Sequence, residues 1–180
     1  MAKKIYEACR RLLTTCANCQ PDENILIVTD TDSLEIGMAL WDAAEEFPKK
    51  TMVMMEPRKM HGEEPTPLVA AAMLKADVIF RATKFSLSHS HARRDACAAG
   101  ARDLNCCDYS IEMLEKGGLY TDFEADRKYV DQLLKSMANG DQVHITSEAG
   151  TDYYASIKGH KLFPLYGMVR NPGETCSPPD

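Results

Sequence analysis

The chain has 180 residues, of which 44% are hydrophobic and 27% are charged, as is typical of a folded globular domain. Its 21 Lys and Arg residues against 27 Asp and Glu residues give a net charge of −6, so we expect no nucleic-acid partner. The apolar runs are far shorter than the roughly 20 residues that a membrane span requires, and no signal peptide is recognisable. We therefore expect a cytoplasmic protein with no membrane partner.

The cysteines indicate reduced thiols. There are seven, an odd number without an export signal, which argues against a disulfide framework. Cys16 and Cys19 form a C-x-x-C pair, but the second ligand pair of a zinc site does not follow. The pair lies near the end of a helical stretch instead of after a strand, which also disfavours a redox motif. A structural role is the simpler interpretation.

Strands and helices alternate along the first 107 residues. Apolar residues spaced three and four apart predict a first helix over residues 5–19. Short apolar or β-branched runs predict strands over residues 24–30, 51–56, 77–83 and 101–107. Capping residues, Pro67 and Gly100 bound the predicted helices 34–47, 67–75 and 91–100. This order predicts an α/β fold with a mostly parallel, Rossmann-like sheet and helices on both faces.

The pattern changes after Asp108. Helices are predicted over residues 111–116 and 123–137, and strands over 142–147 and 153–157 form an antiparallel hairpin around the turn at Gly150. The tail, residues 162–180, is too rich in proline to be regular throughout. We expect an α/β domain over residues 1–140, followed by a hairpin and proline-rich tail over residues 141–180.

Ligands of open α/β sheets bind beyond the carboxyl ends of the strands, and this rule selects candidate site residues. Asp30 follows the first strand, and a Ser/His-rich loop follows the third. A helix N-terminus there would attract an anionic group and keep an imidazole neutral. We identify His89 as a candidate auxiliary acid or base. The candidate substrate-binding residues are Asp30, Ser86, Ser88 and His91.

Each of these residues also has a structural explanation. Asp30 suits a turn, Ser88 or a neighbouring serine suits a helix cap, and the histidines suit solvent-exposed positions. His144, in the predicted hairpin, is better explained as structural. The glycine motifs of dinucleotide-binding folds and P-loops are absent. There is also no H-E-x-x-H and no cluster of His with carboxylates at helical spacing, so we expect no metal ligands in this chain.

Several segments resemble, in order, the amino-terminal part of the leucyl aminopeptidase (aminopeptidase T) type metallopeptidases, a superfamily that includes 2,5-dihydroxypyridine 5,6-dioxygenase. These segments are His61-Gly-Glu-Glu-Pro-Thr-Pro, Ala76-Asp-Val, Ser86-Leu-Ser-His-Ser-His-Ala-Arg93, Ala99-Gly-Ala-Arg102, and Ala149-Gly-Thr-Asp152 with Ile157-Lys-Gly159. His160 stands where the superfamily more often has arginine, which puts any role of that arginine in doubt.

The resemblance implies an amino-terminal domain of a metal-dependent enzyme that is commonly dimeric. A divalent metal, whether zinc, cobalt or iron, would be held by a carboxyl-terminal domain, and the chain alone would be inactive. The first expectation is an aminopeptidase-like hydrolase, with a small-molecule or peptide substrate bound through the other domain. The alternatives are a ring-cleaving dioxygenase and a free-standing module that binds a small anion. A third hypothesis is a structural or dimerisation domain, which forms a homodimer through the proline-rich tail and the Met-rich segment 52–60.

Overall fold

The computed structural model describes residues 2–179, and a parallel β-sheet forms its core. The strands within these residues are β1 (Ile25–Asp30), β2 (Lys50–Met55), β3 (Val78–Ala82), β4 (Arg102–Asn105), β5 (Gln142–Thr146), β6 (Asp152–Ser156) and β7 (Thr175–Cys176). Five of them form one sheet in the order β2-β1-β3-β4-β7, and each neighbouring pair is parallel. β1 and β3 are buried along their whole length, which explains why their sequences are apolar except at Thr29 and Asp30 in β1 and Arg81 in β3.

The α-helices within residues 2–179 are α1 (Lys3–Arg11), α2 (Leu34–Ala43), α3 (Pro67–Met73), α4 (His91–Ala98), α5 (Ile111–Lys116) and α6 (Phe123–Met137). Of these, α2, α3 and α4 connect strands of the parallel sheet and cover its two faces. A π-helical turn, Leu12–Cys16, continues α1. Side chains of α3 and α4 pack against Leu26 and Val28 of β1 on one face. α2 lies on the opposite face, where a Cβ added at Gly37 would be only 2.9 Å from Cβ of Thr29.

The predicted fold class is confirmed: the structure is an α/β sheet flanked by helices, with a separate antiparallel hairpin. One strand was not predicted. β7 has only two residues, so it leaves no periodic pattern in the proline-rich tail, and it exists because Asp103 and Leu104 of β4 pair with it.

The chain divides into two compact units. One comprises the residues through Thr121 together with those from Gly167 onward, and the other is Asp122–Tyr166. The second unit contains α6 and the hairpin, in which Val143 pairs with Ala155. These limits differ from the division expected at residue 140, because α6 is grouped with the hairpin. No helix in residues 2–179 is both long and apolar enough to cross a membrane.

Candidate functional site

The candidate site lies at the carboxyl edge of the parallel sheet. The strand order places β2 on one side of β1 and β3 on the other, so the direction of the connections reverses between β1 and β3. Open α/β sheets bind their ligands at this kind of reversal. The loops that follow β1, β2 and β3 meet here, as the contacts described below establish.

Asp30, at the end of β1, holds two of these loops together. Its side chain is fully buried, its Oδ1 accepts a hydrogen bond from the backbone N–H of Ser33 at 2.9 Å, and its Oδ2 accepts one from the backbone N–H of Lys84 at 2.7 Å. Both carboxylate oxygens therefore have protein partners. Asp30 lies at the carboxyl end of β1, as the sequence predicts. Its contacts, however, indicate that it positions the loops after β1 and β3.

Arg81 is the unexpected centre of the site. It lies on β3 with a completely buried side chain, and its Nε and Nη2 donate to the two carboxylate oxygens of Asp103 on β4 at 2.6 and 2.8 Å. Thr175 of β7 also donates to Asp103, at 2.6 Å. On its other side, Nη1 of Arg81 donates to Oδ1 of Asn105 at 3.1 Å, and Nη1 and Nη2 both donate to Oγ of Ser88 at 3.2 Å.

Ser86, Ser88 and Asn105 form a half-buried group, here called the polar edge cluster. The hydroxyl of Ser86 lies 2.8 Å from Oγ of Ser88 and 3.3 Å from Oδ1 of Asn105. The backbone N–H of Ser88 donates to Oγ of Ser86 at 3.1 Å. Two of the predicted substrate-binding residues, Ser86 and Ser88, are thus brought together, and Arg81 and Asn105 join them.

Two residues of the loop after β2 make hydrogen bonds to the backbone of Ser86. The backbone N–H of Gly62 donates to the Ser86 carbonyl at 2.8 Å, and the backbone N–H of Ser86 donates to Nδ1 of His61 at 3.1 Å. Because Nδ1 accepts this bond, the proton of the neutral ring is on Nε2. The His61 ring also meets the ring of Phe85 edge to face, with centroids 5.3 Å apart.

Sequence analysis did not select His61, Arg81 or Asn105, although two signals were available. Arg81 is a charged residue inside an otherwise apolar strand, and such a residue needs a buried partner. His61 opens one of the segments that carry the family resemblance. Asn105, at the end of the short strand β4, gave no comparable signal.

The N-terminus of α4 is already occupied by a carboxylate. Glu64 accepts hydrogen bonds from the backbone N–H groups of His91 and Ala92, and Ser90 accepts one from Arg93. The hydrogen bond from the His91 N–H lowers the pKa of Glu64. The anion expected at this helix end is therefore supplied by the chain itself, which argues against a small exogenous anion here.

The two histidines of this loop have different surroundings. The His91 ring contacts Nη2 of Arg94 on the exposed side of α4. His89 is exposed, and its ring makes no hydrogen bond with any residue in the range 2–179. Of the two, His89 is the one whose ring is available to a ligand.

The described residues do not fit a metal ion. Within residues 2–179, no group of three His, Cys, Asp or Glu side chains is arranged to hold one. Burial raises the pKa of the Cys16 and Cys19 thiols to about 12, so neither is a ready thiolate ligand. In the separate hairpin, His144 bonds to Asp152 at 2.7 Å and stacks on Tyr154, two contacts within the hairpin itself.

Comparison with known proteins identifies the family. The sequence model of NicX, 2,5-dihydroxypyridine 5,6-dioxygenase, matches residues 4–179. The structure is similar to that of 2,5-dihydroxypyridine dioxygenase from Pseudomonas putida KT2440, with a TM-score of 0.78 and 17% sequence identity, over 99% of this chain and 55% of that chain. This chain thus spans about half the length of that relative. The search of curated proteins found no match.

These findings correct the first functional expectation. The aminopeptidase and hydrolase assignment was wrong, because the matching family is that of a dioxygenase and neither comparison points to a peptidase. The chain belongs to the NicX, or 2,5-dihydroxypyridine 5,6-dioxygenase, family.

Proposed function

We propose that this chain forms a substrate-facing part of a ring-cleaving dioxygenase whose substrate is a hydroxylated pyridine or a closely related aromatic ring. The observation that carries the proposal is the family match over residues 4–179, which includes every residue of the polar edge cluster. The aromatic ring would lie against the carboxyl edge of the sheet, where Ser86, Ser88 and Asn105 offer polar contacts and Phe85 offers an apolar one.

The chain's own residues bind and orient the ring in this proposal. The exposed imidazole of His89 would act as an auxiliary acid or base beside the ring. Asp30 and His91 would contribute indirectly, Asp30 by positioning the β3 loop and His91 at the start of α4. The divalent metal expected from the resemblance would be held by other residues of the whole protein, since those in the range 2–179 do not fit one.

The alternative of a free-standing module for small anions has less support. Its natural site, the N-terminus of α4, is filled by the Glu64 carboxylate. The guanidinium of Arg81, the other attractive group, is paired with Asp103.

Oxygen uptake tests the proposed function. The full-length protein would be supplied separately with ferrous, cobalt or zinc ions and with 2,5-dihydroxypyridine. We expect oxygen consumption that parallels the loss of the ring's ultraviolet absorbance, with one of the metals. If the ring is unchanged with every metal while the protein remains folded, the proposed function is wrong. Hydrolysis of leucyl peptides, run as a parallel assay, should be absent.

A further inference from the structure

The polar edge cluster contains more hydrogen-bond donors than acceptors, because a guanidinium lies behind it. Arg81 brings N–H donors and no acceptor, and its charge is compensated on the far side by both oxygens of Asp103. On the near side it donates to Ser88 and Asn105. The guanidinium of Arg81 thus donates hydrogen bonds to the polar edge cluster, while the carboxylate of Asp103 neutralises its positive charge.

The hydroxyl groups of Ser86 and Ser88 are the donors that exceed the available acceptors. Oγ of Ser88 accepts from Nη1 and Nη2 of Arg81 and from the hydroxyl of Ser86, so three donors share its two lone pairs. The hydroxyl hydrogen of Ser88 then has no acceptor among residues 2–179. If the bridging hydrogen bond runs the other way, the hydroxyl of Ser86 donates to Oδ1 of Asn105 at 3.3 Å, on the second lone pair of an oxygen that also accepts from Arg81. One hydroxyl of the pair therefore has either no acceptor or only this long hydrogen bond, which an acceptor oxygen of a ligand could replace.

This donor is placed where a ligand could reach it. Ser86 and Ser88 are both half-buried, and Ser86 is fixed by Gly62 and His61 from the neighbouring loop. Phe85 is also half-buried beside them. A donor pair with a fixed backbone next to an aromatic ring suits a planar ligand that carries one acceptor oxygen.

We propose that the Ser86–Ser88 hydroxyl pair binds an acceptor oxygen on the ring of the ligand, with Arg81 as the positioning residue that keeps the pair in its donor state. The inference takes the aromatic nature of the ligand from the proposed function and adds the group that is recognised. A deprotonated hydroxyl oxygen binds most strongly, since hydrogen bonds to charged groups are stronger than those between neutral groups. Phosphate is a poor ligand here, because the Arg81 charge is already compensated by Asp103.

Two matched ring ligands test the proposal on the full-length protein. Binding of 3-hydroxypyridine, which carries the oxygen, and of 3-methylpyridine, which has a methyl group in its place, would be measured by calorimetry without oxygen. The unmodified protein should favour the hydroxylated ring. Ser86→Ala and Ser88→Ala should each weaken its binding roughly two- to tenfold, the range for a hydrogen bond between neutral groups. Neither variant should alter the binding of the methylated ring.

Two further variants complete the design. Ser136→Ala removes a serine hydroxyl from α6, in the other compact unit, and should leave the affinities for both rings unchanged. Arg81→Lys keeps the charge but loses the planar fork, so it should reduce the preference for the hydroxylated ring. Circular dichroism would establish whether this buried variant folds. If it does not, the two serine variants decide the question alone.

The proposal is overturned if the unmodified protein does not distinguish the two rings, or if the serine variants bind 3-hydroxypyridine as tightly as it does. Equal losses for both rings would also overturn it, because they would indicate a change in packing. Displacement of 3-hydroxypyridine by inorganic phosphate would contradict the stated ligand class. Oxygen uptake is a separate measurement: serine-dependent binding without ring cleavage would refute only the proposed function, and ring cleavage unaffected by the serines would refute only this inference.

Discussion

Arg81 and Asp103 form a bidentate ion pair between neighbouring strands, at 2.6 and 2.8 Å, and both side chains are completely buried. A buried charge without its partner is costly, whereas the intact pair gains much less over apolar residues of similar shape. Replacing only Arg81 or only Asp103 should therefore destabilise the sheet, whereas replacing both with apolar residues should destabilise it much less.

Asp103→Leu and Arg81→Met should each lower the free energy of unfolding by about 3–5 kcal/mol, because each leaves one charged partner buried without its counterpart. The double variant Arg81→Met with Asp103→Leu should lose much less than the sum of the two. Urea denaturation would measure all three. Lys158→Ala, which removes an exposed pair with Asp141, is the control and should change stability by under about 1 kcal/mol. Additive losses would contradict the interpretation.

Glu64 predicts a pH-dependent contribution to stability. The hydrogen bond from the backbone N–H of His91 lowers its pKa in the folded protein, so ionised Glu64 stabilises the fold above the unfolded pKa of about 4.3. That contribution is lost as the pH falls through the folded pKa. Glu64→Gln should accordingly be less stable than the unmodified protein at neutral pH, and the difference should shrink in acid.

Thermal unfolding at a series of pH values would measure this convergence. Glu112→Gln is a suitable control, since Glu112 is an exposed glutamate in the first turn of α5 and its bonded partner, Lys116, is on the same helix. The stability difference between Glu64→Gln and the unmodified protein could instead stay constant down to acidic pH. That result would exclude ionisation of the Glu64 carboxylate as its cause.

The cysteine thiols should differ in their rates of alkylation. Burial raises the pKa of Cys9, Cys16, Cys19 and Cys176 to about 12, and it raises that of Cys106 well above its usual range. Cys107 is only half-buried, and its Sγ lies 3.3 Å from the Lys84 carbonyl oxygen. Burial also raises the pKa of the Cys107 thiol. Iodoacetamide should nevertheless modify Cys107 first in the folded protein, because the other six thiols are buried and only this one is partly accessible.

Peptide mass mapping would locate the modified residue, and Cys107→Ser should remove the fast phase of labelling. Modification of Cys16 or Cys106 at the same rate under native conditions would contradict the burial of these thiols.

His89→Ala should lower the turnover of the full-length enzyme by roughly 10²–10⁴-fold if the imidazole transfers a proton in the reaction. Stability should hardly change, because the exposed ring makes no hydrogen bond with residues 2–179. His91→Ala is the matched comparison, two residues along the same loop. If the His89 variant turns over as fast as the unmodified enzyme, His89 is not an acid or base in the reaction.

The sequence by itself determined the order of strands and helices and the edge of the sheet at which the Ser/His loop lies. These features depend on local patterns: β1 and β3 are mostly apolar runs, and Pro67 and Gly100 bound helices. The loop after β3 must then emerge at the carboxyl edge, so Ser86 and Ser88 could be selected without knowledge of their contacts.

Only the tertiary structure decided what these residues touch. Arg81 meets Asp103 because β3 and β4 pair in one register, and Glu64 reaches His91 across 27 residues because α3 and α4 pack on the same face. β7 forms because its two residues pair in parallel with Asp103 and Leu104 of β4. Such contacts depend on how distant elements pack, and packing leaves no periodic trace in the sequence of either partner.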